Sequence, residues 1–192
     1  MSLYELFTSK GRSGFGYGST AEQVTEGLSL DGKTVLVTGC TSGLGQEALR
    51  VLTMRGAVVV GTARTLEKAQ AACSAVTGKT VPLACELSDP ASVKACVAEV
   101  KRLGLTLDAI ICNAGIMGIQ TEQAFGYEKQ FFTNHIGHFM LVTGLLGQLT
   151  ETGRVVMVSS NAHTMAPKDG IQFDDLAGTR GKADMATYGH SK

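Results

Sequence analysis

The sequence has no surplus of charge of either sign. Its 17 lysines and arginines balance 17 aspartates and glutamates, so nothing suggests nucleic acid or an anionic membrane as a partner. It also has no long apolar run. The greasiest stretch, Phe139 to Leu149, is interrupted by Gly144 and Gly147 and falls short of the ~18 residues that a membrane span needs. The first residues lack the apolar core of a signal peptide. Five cysteines (Cys40, Cys73, Cys85, Cys96 and Cys112) lie far apart with no C-x-x-C pair. Neither a metal site nor a disulfide framework is expected from that spacing; buried free thiols in a reducing, cytoplasmic compartment are. There is no internal repeat, and no low-complexity tract beyond a few N-terminal glycines.

What is present describes a globular chain. A length of 192 residues with 44% hydrophobic content fits one α/β domain with a sizeable core. The chain is organised around Asp31 to Gly45. A short β-branched run, Thr34 to Thr38, leads into Gly39-Cys40-Thr41-Ser42-Gly43-Leu44-Gly45, and a helix-forming segment, Gln46 to Arg55, follows. Strand, glycine turn and helix in that order open a nucleotide-binding βαβ unit. One glycine permits the turn, one lets backbone approach a pyrophosphate, and one allows helix and strand to pack closely. The helix N-terminus offers free N–H groups to the phosphates. No Gly-Lys-Ser/Thr follows, so the turn is not a P-loop.

From Lys33 onward the pattern alternates. Strands are predicted at 34–38, 57–62, 80–84, 107–112 and 154–159, with helices at 44–55, 65–77, 90–102 and 123–149. Near-continuous apolar strands indicate a parallel sheet covered on both faces. The expected fold is a doubly wound, Rossmann-like, three-layer α/β/α sheet of order 3-2-1-4-5. Residues 1–30 read as an N-terminal extension before the dinucleotide-binding domain at 31–192. Ser19-Thr20-Ala21-Glu22 has the form of a capping box for a short helix reaching Gly27.

The second strand ends in Gly61-Thr62-Ala63-Arg64. An NAD-specific site places an Asp or Glu about 20 residues past the glycines to bond the ribose 2′-hydroxyl. Arg64 stands there instead. A guanidinium would fork onto a 2′-phosphate, with the Thr41 and Ser42 hydroxyls as further donors. A solvated surface arginine is the alternative. NADP (NADPH) is the expected cofactor.

Further along come Cys112-Asn113-Ala114-Gly115, then Asn134-His135-Ile136-Gly137-His138-Phe139, then Val155-Val156-Met157-Val158-Ser159-Ser160, and last Tyr188-Gly189-His190-Ser191-Lys192. With the glycine turn, this ordered set resembles the short-chain dehydrogenase/reductase family. The Asn-His-x-Gly-His-Phe motif, the Ser-Ser-x-Ala-His and the lead-in Ser19-Thr20-Ala21 are similar to retinol-dehydrogenase-like and protochlorophyllide-reductase-like members. The resemblance implies an NADP-dependent oxidoreductase that moves a hydride between the nicotinamide and a small alcohol or carbonyl substrate, apolar like a retinoid, steroid or tetrapyrrole. It also implies that Asn113, Ala114 and Gly115 line the cofactor trough, Asn113 bracing the strands. By the same resemblance Glu86 and Leu87 adjoin the adenine, although the family has Asp where Glu86 stands. Lys192 would hold the nicotinamide ribose, and Asn134 a water linking Lys192 to solvent.

The chemistry follows from residue types. Tyr188 and Lys192 are four apart, one turn on a shared helix face. A free phenol has a pKa of about 10, and a neighbouring ammonium brings it nearer to working pH. Tyr188 is the expected proton donor in reduction. Ser160 would hydrogen-bond the substrate oxygen. His135 and His138, three apart, are expected to be helix-packing residues rather than a metal pair. The long connection from Ser160 to Tyr188 reads as an insertion beside the substrate mouth, with disorder as the rival.

The sequence stops at the last motif residue. The expected sheet therefore lacks its C-terminal strands, its fifth strand forms a bare edge, and the turn carrying Lys192 frays. A homo-oligomer pairing through that edge is expected. Two rivals stand beside the enzyme: a truncated, non-catalytic NADP-binding or interaction module, and an S-adenosylmethionine-dependent methyltransferase, which Arg64 and the Tyr188/Lys192 pair oppose.

Overall fold

The computed structural model describes residues 11–118, 122–180 and 185–192. The first ten residues of the N-terminal extension, and a short part of the connection before Tyr188, lie outside the described residues.

In chain order the elements are α1 (Ala21–Val24), β1 (Thr34–Thr38), α2 (Gly43–Met54), β2 (Val58–Ala63), α3 (Leu66–Ser74), β3 (Thr80–Ala84), α4 (Pro90–Arg102) and β4 (Leu107–Cys112). A two-stranded hairpin of β5 (Gln123–Ala124) and β6 (Tyr127–Glu128) follows. Then come α5 (Lys129–Phe131), a π-helical turn (Phe132–Ile136), α6 (Gly137–Leu145), β7 (Leu149–Met157) and α7 (Met185–His190). The main sheet runs β3-β2-β1-β4-β7, with every pairing parallel. It is the doubly wound, Rossmann-like order that the alternating pattern predicts. Pro82 sits in β3, an edge strand, where a missing N–H is tolerated.

Alternation along β1 shows why the strands are apolar throughout. Leu36 packs with Val60, Ile110, Leu141 and Leu145 on the face covered by α4 and α6. Val35 and Val37 pack with Leu49, Val59 and Ala72 on the face covered by α2 and α3. β7 is different. Its consecutive residues Val155, Val156 and Met157 are 37%, 44% and 51% exposed, so both of its faces are partly open, and among the described residues no strand pairs with its outer edge. All five cysteines are free and buried.

Three local expectations are corrected. The capping box belongs to Thr20 and Gln23, one residue later than predicted, and α1 ends at Val24. The helix predicted from 123 starts at Lys129, because Phe125 (φ 53°) and Gly126 (φ 83°) form a tight hairpin turn first. Two consecutive positive φ values are what such a turn requires. β7 begins at Leu149 rather than at 154, through an irregularity that pairs Leu107 with Leu149 but Ala109 with Arg154.

Candidate active site

The C-terminal ends of β1 to β4 open into one cleft of about 810 Å³, within the range of small-molecule sites. Its floor is the glycine turn. Gly39 has φ 74°, and a Cβ there would lie 2.9 Å from the Cα of Ala114. Gly43 has φ 58° and faces open space, so conformation alone favours glycine at that position. Gly45 is the reverse case: a Cβ would run into the Gly39 carbonyl oxygen and the Asn113 amide.

The α2 N-terminus points into this floor. Thr65 and Asp89 cap α3 and α4 with their side chains, whereas Ser42 makes no capping bond to α2. The first amides of α2 are thus left for an anion. A turn closed to a Cβ at Gly39 and Gly45, with an open helix N-terminus, fits a diphosphate-bearing nucleotide.

Of the residues expected around the cofactor, Gly39, Thr41, Ser42, Leu44, Gly45, Arg64, Glu86, Leu87, Asn113, Ala114 and Gly115 line the cleft, while Gly43, Tyr188 and Lys192 do not. Asn113 braces the strands, its amide donating to the Thr38 carbonyl at 2.9 Å. Glu86 accepts bonds from the Ser88 backbone N–H (3.1 Å) and hydroxyl (2.9 Å), which fixes its longer side chain locally. Lys68, Gln46 and Thr133 also line the cleft and escaped sequence reasoning. Arg64 and Lys68 are both exposed. Neither forms an ion pair among the described residues.

The four expected catalytic residues come from separate segments. Asn134 sits in the π-helical turn, a wide turn that often marks functional positions. Its carbonyl-side oxygen accepts from Ile116 N–H (2.8 Å), and its amide donates to the Ile116 carbonyl (2.9 Å) and the Ser191 hydroxyl (2.8 Å). Lys192 donates from Nζ to the Val158 carbonyl at 3.2 Å. A Cβ on Gly115 would meet Lys192 Nζ at 3.1 Å and Asn134 Oδ1 at 3.3 Å, so the ammonium and the amide share one small space. Burial holds the Lys192 ammonium below the usual lysine range.

Ser160 accepts the Ala162 N–H on its hydroxyl at 3.2 Å. Its carbonyl accepts from His163 Nδ1 at 2.7 Å, which gives His163 a bracing role. Gly189 explains how α7 reaches this place, since a Cβ there would strike the Ala162 carbonyl. Tyr188 is in α7, but the helix ends at His190 and Lys192 lies beyond it. The one-turn spacing is continued by tighter bonds, from Ser191 N–H to the Tyr188 carbonyl (3.0 Å) and Lys192 N–H to the Gly189 carbonyl (3.1 Å). The expected frayed end is instead tied down by Val158 and Ser159, whose hydroxyl donates to the Lys192 carbonyl at 3.1 Å.

A family model described as short chain dehydrogenase matches residues 33–172. The chain belongs to the short-chain dehydrogenase family. It is 37% identical to short-chain dehydrogenase TIC 32 B, chloroplastic, from Brassica napus, over all of this chain and 64% of that protein. It is 36% identical to retinol dehydrogenase 12 of Mus musculus, over 88% of this chain and 55% of that protein. A solved structure from Mycobacterium paratuberculosis superposes with TM-score 0.79 at 35% identity, covering 92% of this chain and 62% of the other. A Serratia marcescens short-chain dehydrogenase/reductase gives TM-score 0.65 at 26% identity, covering 85% and 64%. The chain thus spans less than two thirds of the length of these relatives. Members of the short-chain dehydrogenase family are oxidoreductases that use nicotinamide cofactors and act on small molecules. No described helix is long and apolar enough to cross a membrane.

Proposed function

We propose that this chain binds NADPH in the cleft and carries the proton-transfer group of an oxidoreductase acting on an apolar alcohol or carbonyl compound. The observation that carries the reading is that Lys192 Nζ and Asn134 Oδ1 both converge on Gly115, at the wall of a cleft whose floor is a glycine turn and an open helix N-terminus.

The phosphate end would be held by the first amides of α2 and by the Thr41 and Ser42 hydroxyls. Arg64, with Lys68 in the same lining, would take the 2′-phosphate as a charge-assisted pair. Bound NADPH supplies the hydride. Tyr188 gives its phenolic proton to the substrate oxygen, and the Lys192 ammonium favours the phenolate left behind. Ser160 contributes because its hydroxyl oxygen already accepts the Ala162 N–H, which leaves the O–H to donate to the same substrate oxygen. Exposed apolar side chains support the substrate class: Met117 just past Gly115, Met165 just past Ser160, and Phe173 in the connection before α7. The mouse relative's name suggests a first probe, retinal.

A fluorescence titration with NADPH and separately with NADH tests the reading. Arg64→Ala should weaken NADPH by about 10–100-fold, the worth of one hydrogen-bonded charge, and leave NADH unchanged. Equal losses for both cofactors would remove the 2′-phosphate assignment. Binding without retinal reduction would favour the non-catalytic binding module.

A further inference from the structure

His138 was expected to be a packing residue, and it is fully buried in α6. Both of its ring nitrogens are nevertheless engaged. Nδ1 lies 2.9 Å from the Asn134 carbonyl oxygen, and Nε2 lies 2.8 Å from the Thr38 hydroxyl. That hydroxyl already accepts the backbone N–H groups of Asn113 and Ala114, each at 3.0 Å, which fills both of its lone pairs. Its own proton must therefore be donated. The Ile111 carbonyl is 3.5 Å away, at the limit for a bond, so the proton goes to Nε2. Nε2 is then the bare nitrogen and Nδ1 carries the hydrogen, which it donates to the Asn134 carbonyl. Only this tautomer satisfies every member of the group.

The ring therefore joins the two parts of the site. On one side Thr38 holds Asn113 and Ala114, and Asn113 in turn holds the Thr38–Gly39 turn. On the other side Asn134 holds Ile116 and Ser191, the residue before Lys192.

We propose that His138 is a positioning residue: a neutral imidazole, fixed as the Nδ1–H tautomer, that keeps the cofactor turn and the Asn134–Lys192 group in register with each other. This rests on reading the cleft as a nicotinamide-cofactor site. A doubly protonated ring would ask Thr38 to accept a third bond, so acid disconnects the two parts. Lys192 and His135 are the titratable groups that act on the ring, and both oppose a second proton. A shape-filling histidine, by contrast, would be replaceable by any side chain of similar size.

Two measurements test the role on the whole chain. Imidazole ¹⁵N spectra of the protein should show His138 as Nδ1–H with no titration down to about pH 5. NADPH titrations of His138→Phe, Thr38→Val and the double variant should show each single change weakening binding at least about tenfold, with the double no worse than the poorer single, because both break one chain of bonds. His138→Gln carries the test if the phenylalanine variant does not fold, because Thr38→Val also removes the acceptor of the Asn113 and Ala114 N–H groups. An Nε2–H ring, single variants with unchanged affinity, or additive losses would overturn the positioning role while leaving the cofactor reading intact. A wild-type chain that binds neither NADPH nor NADH overturns both.

Discussion

The two parts of the cleft are built by different means. The nucleotide side is made of backbone: a turn and a helix N-terminus within a few residues, where the chemistry depends on what glycine lacks. The side proposed for proton transfer, beyond Gly115, is made of side chains from the π-helical turn, the segment after β7 and the end of the chain around α7. Bonds such as that from Asn134 to Ser191, 57 residues apart, hold it together. The first part is sensitive to an added methyl and the second to a lost polar atom.

The sharpest test of that contrast removes one oxygen from the second part. Tyr188→Phe should lower retinal reduction by about 10²–10⁴-fold, the range for a general acid, while NADPH affinity in the fluorescence titration stays unchanged. Loss of both together would mean that the two parts are not separable.

The next largest effect is on stability against pH. Burial holds the His138 pKa down at about 4 against an ordinary 6.5. Below pH 6.5 the unfolded chain takes up a proton that the folded chain refuses, so stability is full above 6.5 and falls as pH drops towards 4. The total is about 3 kcal/mol at 1.36 kcal/mol per unit. His190, also lowered by burial, adds loss in the same window. Urea unfolding across pH 4–7 reads this, and Thr38→Val should make the loss shallower, since it removes a hydrogen bond made only to the neutral ring.

Gly45→Ala and Gly43→Ala divide the turn itself. Gly45→Ala forces a methyl into the Gly39 carbonyl and should destabilise by about 1–3 kcal/mol, as overpacking does. Gly43→Ala meets no atoms and should cost only the ~1 kcal/mol of a left-handed residue. Equal melting shifts would show that packing is not the issue at Gly45. The smallest change in folding stability is expected at the bare strand: Val156→Lys, on an exposed site, should alter it by less than about 0.5 kcal/mol. If the unsubstituted chain self-associates through this strand, the same change should reduce it in sedimentation, since a charge blunts an open edge.

The same contrast explains what could be read from the sequence. β1, the glycine turn and α2 are contiguous, and each local preference agrees with its neighbours, so turn, sheet order and cleft lining were legible. Arg64 was found because its position is fixed by distance from the glycines. The hairpin was not, because Phe125 carries none of the Asn or Asp chemistry that announces a positive φ. The π-helical turn has no sequence signature distinct from an α-helix. His138 is buried in its helix as expected, but its bond to Thr38, 100 residues away, has no local signal, and neither does the bond from Asn134 to Ser191 between the two motif residues.

Gly189 sets an unusual tolerance. Because α7 rests on the Ala162 carbonyl with no side chain between them, the spacing from the segment after Ser160 to the helix bearing Tyr188 is defined by two main chains in contact. Such a stop has no rotamers to absorb error. Even a single methyl at Gly189 would act as a shim, moving the helix that bears Tyr188 away from the segment after Ser160, and no choice of neighbouring side chain would take up the difference.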